Sequence, residues 1–243
     1  MFAGPYGSGK SELKKYLPKS LLGVYLNPDD LERLARQQRF LDLNAFGVAG
    51  TEAEVLPFFR ESALLASLSL GDQARQLEFA GGRLEFRNAE INSYFASVLV
   101  EFLRQRLMAA NATFTLETVM SHPGKAALLK EAQLAEYRTY LNYIATDDPA
   151  INVSRVRARV RQGGHDVPED RIENRYHRSL DLLIEAIRFS SRAFIFDNSG
   201  ENQSHSWLAE ITDGKELEMK TSQVPAWFKR SVLDKFAPSV ETH

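Results

Sequence analysis

Eight residues near the start of the chain, Gly4-Pro5-Tyr6-Gly7-Ser8-Gly9-Lys10-Ser11, satisfy the pattern G-x-x-x-x-G-K-[ST] in full. Such a run must turn several backbone N–H groups toward one point, so it needs a strand to deliver it and a helix to carry it away. The glycines permit the turn, the lysine ammonium reaches the β and γ oxygens of a nucleotide, and the last hydroxyl is placed to coordinate Mg²⁺. Gly4, Gly7, Ser8, Gly9, Lys10 and Ser11 are therefore candidate nucleotide contacts, with Lys10 also a catalytic candidate, Ser11 the metal candidate, and ATP and Mg²⁺ the implied ligands. Only Met1, Phe2 and Ala3 precede the loop, a short strand for such an element; a start farther upstream and a clipped first strand are both compatible with this.

The remaining pattern alternates short apolar runs with helical ones. Residues 21–26 read as a buried strand ending at Asn27-Pro28, followed by a helix through Leu31 and Leu34. Strands are expected again at 113–116, 139–145 and 193–196, with helices at 11–16, 91–108, 124–136, around Val153, Val156 and Val160, and from Pro168 onward. Strands separated by helices imply parallel βαβ units, hence a three-layer α/β sheet with its site at the carboxyl ends of the strands. Residues 36–92 are irregularly helical, with a break at Gly81-Gly82, and read as a helical insertion. The segments 207–212 and 216–221 flank Asp213-Gly214, the signal of a hairpin with a type I′ turn. A single domain over 1–243 is expected, with the insertion at about 36–92 and an arginine-rich lid at about 153–180.

Composition excludes several classes. The chain has 243 residues, 44% of them hydrophobic, enough for a proper core. Thirty Lys plus Arg against 32 Asp plus Glu leave a net charge of −2, so no global basic field draws the molecule onto nucleic acid or an anionic membrane. With no Cys there is neither a disulfide framework nor a thiolate metal site. No signal peptide and no run of eighteen apolar residues is visible, and a cytoplasmic protein is expected.

The phosphate loop alone names no reaction. No Asn-Lys-x-Asp is present for guanine recognition, and Asp197 and Asp147 both fit a Walker B position without specificity. Asp29, at the end of the second expected strand, is a candidate general base for an incoming hydroxyl; an equally open reading makes Asp29 or Asp30 the N-cap of the following helix. Glu117, leaving the strand at 113–116, suits a substrate hydroxyl or a metal-bound water, with Thr118 beside it, and a local cap or ion pair is its plainer alternative. Arg155 and Arg159 share one helix face, and Arg171, Arg175 and Arg178 another. Guanidinium groups on a closing lid can neutralise the charge of phosphoryl transfer, with Gly163-Gly164 as hinge; Glu169, Asp170 and Glu173 equally suit a solvated ionic face.

These residues resemble the zeta toxin family of P-loop kinases. The resemblance rests on 3–11, Asn27-Pro28-Asp29, Glu117-Thr118-Val119-Met120-Ser121, the block running from Arg155-Val156 through Gly163-Gly164-His165-Asp166-Val167-Pro168 to Arg178-Ser179-Leu180, and Phe196-Asp197-Asn198-Ser199-Gly200. It implies a P-loop kinase-like fold and ATP-dependent phosphorylation of a sugar hydroxyl, in characterised members that of UDP-N-acetylglucosamine. By position it implies Asp29 as catalytic base, Lys10 and Ser11 as phosphate and magnesium contacts, Arg155 and Arg159 on ATP, and Glu117, Thr118 and Arg175 on the substrate side. A neutralising antitoxin would be a separate protein. Val119 stands where the family usually carries a second threonine, and the insertion is longer than usual. Both leave room for another acceptor, such as an antibiotic or a nucleotide, or for a nucleotide-dependent interaction module.

Overall fold

The computed structural model describes residues 1–164, 166–200 and 205–236. It is an α/β protein with a mostly parallel sheet. In chain order the elements begin with β1 (Phe2–Ala3) and α1 (Lys10–Leu13), then α2 (Lys19–Leu22), β2 (Val24–Leu26), α3 (Pro28–Gln38) and β3 (Phe40–Asp42). Next come α4 (Glu52–Arg60), α5 (Ala63–Ser67), α6 (Gly71–Arg75), β4 (Glu78–Ala80), β5 (Arg83–Glu85), α7 (Ser93–Ala109) and β6 (Phe114–Thr118). The chain continues with α8 (Pro123–Leu134), β7 (Tyr140–Ala145), α9 (Pro149–Arg161), α10 (Glu169–Asp181), α11 (Leu183–Arg188), β8 (Arg192–Asp197), β9 (Ser206–Thr212), β10 (Glu216–Met219) and α12 (Ala226–Ser231). Two compact units result, Met1–Pro18 with Thr118–His243, and Lys19–Glu117.

In the first unit the strand order is β10-β9-β8-β7-β1. β7 lies parallel to both β1 and β8, pairing Ala3 with Tyr143 and Tyr143 with Ile195. Leu141, Tyr143, Ile144 and Ala145 are all buried, the near-continuous apolar run expected of a strand covered on both faces. The expected C-terminal hairpin is β9–β10, added antiparallel at the edge of β8. Its turn has φ 49° at Asp213 and 65° at Gly214, the two positive values that a type I′ connection needs. Helices α8, α10, α11 and α12 contribute Leu129, Tyr176, Leu180, Ala186, Ile187 and Trp227 to one core with Leu141, Tyr143 and Ile195.

In the second unit β2 and β6 pair in parallel, Tyr25 opposite Thr115 and Leu26 opposite Leu116. Helices α3 and α7 pack on each other. The stretch expected to be a helical insertion is not helical alone. Besides α4, α5 and α6 it carries a three-stranded antiparallel sheet in the order β3-β5-β4. Gly81-Gly82, expected as a break between helices, is the β4–β5 turn, with φ 59° and 80°. Strands of three residues show too little period-two alternation to be read against helical neighbours, and only Leu84 of β5 is deeply buried.

Candidate functional site

The phosphate loop leaves β1 and enters α1, which is short: four α-helical residues, then a 3-10 turn over Lys14–Tyr16. Each glycine sits where a side chain does not fit. A Cβ on Gly7 would lie 2.8 Å from the Asn152 carbonyl oxygen, and one on Gly9, which has φ 96°, would run into the Asn198 amide. Lys10 is buried and its Nζ donates to the carbonyls of Gly4 and Pro5, both at 2.8 Å, which brings the cation back onto its own loop. Ser8 is fully buried and its Oγ finds no hydrogen-bond partner among the described residues. A glycine-lined turn with an ammonium over it and an orphaned polar atom inside it fits a phosphate chain. Ser11 is exposed in the first turn of α1, compatible with a hydroxyl ligand to a nucleotide-borne Mg²⁺. Among the described residues no cluster of three or more His, Cys, Asp or Glu could hold a metal by itself.

Three segments far along the chain support this loop. Asn152, in α9 and fully buried, donates its Nδ2 to the Tyr6 carbonyl and accepts from the Thr146 hydroxyl through Oδ1. Asn198, just past β8, donates its Nδ2 to the Ser8 carbonyl at 2.8 Å. The Nε2 of His205 lies 3.1 Å from the Gly9 carbonyl. Sequence reasoning passed over all three as individual residues, although Asn198 lies within the Phe196–Gly200 segment that carried part of the resemblance.

The arginines separate. Arg155 donates to the carbonyls of Asn198 at 2.7 Å and Gly200 at 3.1 Å, so it braces the segment that braces the loop. Arg157 pairs with Glu169, tying α9 to α10 on an exposed surface where such pairs contribute little. Arg159 is exposed on α9. Arg175 lies at the phosphate loop itself: its Nη1 donates to the Tyr6 hydroxyl and its guanidinium carbon stands 5.5 Å from the Tyr6 ring centre. Gly163 and Gly164 close α9, donating to Val160 at 2.9 Å and Arg159 at 3.0 Å, with φ 86° at Gly163. His165 lies outside the described residues.

Neither Walker B candidate is an unengaged carboxylate. Asp197 accepts from the Ser199 backbone N–H at 2.9 Å, the Ser199 hydroxyl at 2.7 Å and the Trp227 indole at 2.7 Å. Asp147 accepts from the Trp227 backbone N–H at 3.3 Å. Both serve to seat α12 at the ends of β7 and β8. Tyr176, whose hydroxyl donates to the Thr146 carbonyl at 2.7 Å, is held well above the usual phenol range by burial first and the Asp147 charge second, so it stays a neutral donor.

In the second unit Asn27 is the N-cap of α3, with Pro28 at the first helical position; its Oδ1 accepts from the N–H groups of Asp29 at 2.9 Å and Asp30 at 3.4 Å. The capping role open to Asp29 or Asp30 therefore belongs to Asn27, which has the extended backbone a cap requires. Asp30 pairs with Arg33 at 2.8 Å. The Asp29 carboxylate is exposed and accepts no hydrogen bond among the described residues. Glu117 is buried on β6 and accepts from the Tyr25 hydroxyl on β2. Burial, then the Glu117 charge, pushes the Tyr25 phenol far above its ordinary value. The β2–β6 register explains this contact, since Tyr25 faces Thr115 and Glu117 follows two residues later on the same face. Thr118 accepts from the Met120 N–H at 3.0 Å through its hydroxyl, supporting Met120 at φ 53°.

No family model matches the chain. An uncharacterized protein of Haemophilus influenzae is 35% identical over 63 residues, 26% of this chain and 45% of that protein. Two solved structures are similar over the whole of this chain at 13% identity. The crystal structure of AvrRxo1-ORF1:AvrRxo1-ORF2 with sulphate ions gives a TM-score of 0.52 with 65% of its chain covered. The structure of the same pair with ATP gives 0.50 with 64% covered. The chain thus spans less than two thirds of each protein it is similar to. At this identity the likeness to the solved structures is one of fold, an α/β fold with a mostly parallel sheet and a phosphate loop after its first strand.

Proposed function

We propose that this chain is an ATP-dependent small-molecule kinase whose acceptor is a sugar hydroxyl, foremost that of UDP-N-acetylglucosamine, in the manner of the zeta toxins it resembles. The observation that carries the reading is the phosphate loop: three side-chain-excluding glycines, the Lys10 ammonium over them and the orphaned Ser8 hydroxyl. That a structure of similar fold holds ATP adds support. Lys10 moves from its own carbonyls to the phosphate oxygens, exchanging neutral acceptors for charged ones. Ser11 is the protein ligand to Mg²⁺, which when bound neutralises phosphate charge as a Lewis acid. Arg155 and Arg159 add guanidinium charge on the nucleotide side, and Arg175, expected on the substrate side, stands over Tyr6 of the loop and is proposed to reach the terminal phosphoryl there.

Asp29 is proposed as the general base that takes the acceptor's proton. Asn27 relieves it of capping and, among the described residues, no ion pair engages it, leaving an exposed carboxylate in the first turn of α3. Glu117, oriented by Tyr25, together with Thr118, is proposed to hold the acceptor. The molecule is proposed to work in the cytoplasm without nucleic acid or membrane, and to meet an antitoxin as a separate chain; the similar fold solved as a two-protein pair is in keeping with such a partner.

The test is ATP consumption by the purified protein with and without UDP-N-acetylglucosamine. Stimulation by the sugar nucleotide is expected, and Asp29→Ala should lower turnover by roughly 10²- to 10⁴-fold with ATP affinity retained. Equal turnover in that variant removes Asp29 from the mechanism. Val119 favours a second reading, a kinase for a different small molecule, because it puts a methyl where the family has a hydroxyl. A metabolite extract incubated with labelled ATP and analysed by mass spectrometry separates the two.

A further inference from the structure

Arg175 is a half-buried cation at the phosphate loop. Among the described residues it forms no ion pair, and the acceptor it does have is the phenol oxygen of Tyr6. Tyr6 is the third residue of the phosphate loop, and contacts through its carbonyl, hydroxyl and ring help fix it. Its carbonyl accepts from the buried Asn152 amide, its hydroxyl accepts from Arg175, and its ring packs against Val153, Val156, Val167 and Ile172 from α9 and α10 and the segment joining them. The loop and the arginine-bearing helix pair are therefore riveted together through one side chain.

A guanidinium has five N–H donors and the phenol takes one of them, so the others remain available to a phosphate oxygen without breaking the Tyr6 contact. We propose that Tyr6 is a positioning residue: it holds Arg175 at the phosphate loop before nucleotide arrives, so that the guanidinium need not be ordered when the terminal phosphoryl binds. This rests on the nucleotide reading given above. A long, rotamer-rich side chain that is already in place spares an ordering cost that binding would otherwise bear.

The experiment is calorimetric titration of the full chain with Mg²⁺-ATP and, separately, Mg²⁺-ADP, for wild type, Tyr6→Phe, Arg175→Gln and the double variant. Tyr6→Phe keeps the ring packing and removes only the acceptor oxygen. It is expected to weaken ATP binding roughly three- to tenfold, to leave ADP binding and the melting temperature as in wild type, and to cost nothing further in the Arg175→Gln background. Unchanged ATP affinity, equal losses for ATP and ADP, or additive losses in the double variant overturn the positioning role while the nucleotide reading stands. A wild-type chain that binds neither nucleotide overturns the nucleotide reading, and the positioning role with it.

Discussion

Gly9 shows how closely the phosphate loop is fitted at the level of single atoms. Its φ of 96° disfavours any other residue, and a Cβ there would meet the Asn198 amide and stand 2.8 Å from His205 Nε2. Gly9→Ala should therefore displace the Asn198 amide from the Ser8 carbonyl, destabilise the fold by about 1–3 kcal/mol, and abolish nucleotide binding, with thermal melting and ATP titration as the readouts. Lys10, Ser11 and the glycines were legible in the sequence because their chemistry is packed into eight consecutive positions. Asn152, Asn198 and His205 were not, because each meets its loop partner across 146, 190 and 196 residues of sequence. Local pattern carries no information about such pairs until the sheet order is known. Tyr25 escaped for the same reason, 92 residues from Glu117.

Helix α3 starts with a division of labour between adjacent residues. Asn27 caps, Pro28 sets the first helical φ, and the Asp29 carboxylate accepts no hydrogen bond among the described residues. Asn27→Ala should lower stability by about 1 kcal/mol, seen as a shift in the urea midpoint without a change of slope, whereas Asp29→Ala should leave the midpoint nearly in place while removing turnover. The parallel strands and long helices were readable because each is a sustained run with one period. The β3-β5-β4 sheet was hidden because its strands are three residues long and lie among helices of five to nine residues.

At the scale of the molecule, the largest fully buried side chain of the first unit is Trp227, in α12 near the C-terminus. It packs on Tyr143 of β7 with ring centres 6.2 Å apart and satisfies Asp197 through its indole. Trp227→Ala should cost about 3–5 kcal/mol, read from the thermal unfolding transition, with Trp227→Phe losing less because one aromatic ring stays in the core although the indole donor and part of the buried volume go. The two carboxylates that fitted a Walker B position thus act in holding α12 on the core.

The bracing of the phosphate loop by Asn198 and His205 has a temporal side. During synthesis residues 4–11 emerge well before the amide that receives Ser8 and the imidazole beside Gly9, which are made almost two hundred residues later. A nascent chain that has just made residues 4–11 still lacks the side chains that brace its phosphate loop. Affinity for ATP is therefore expected only once both Asn198 and His205 have left the ribosome.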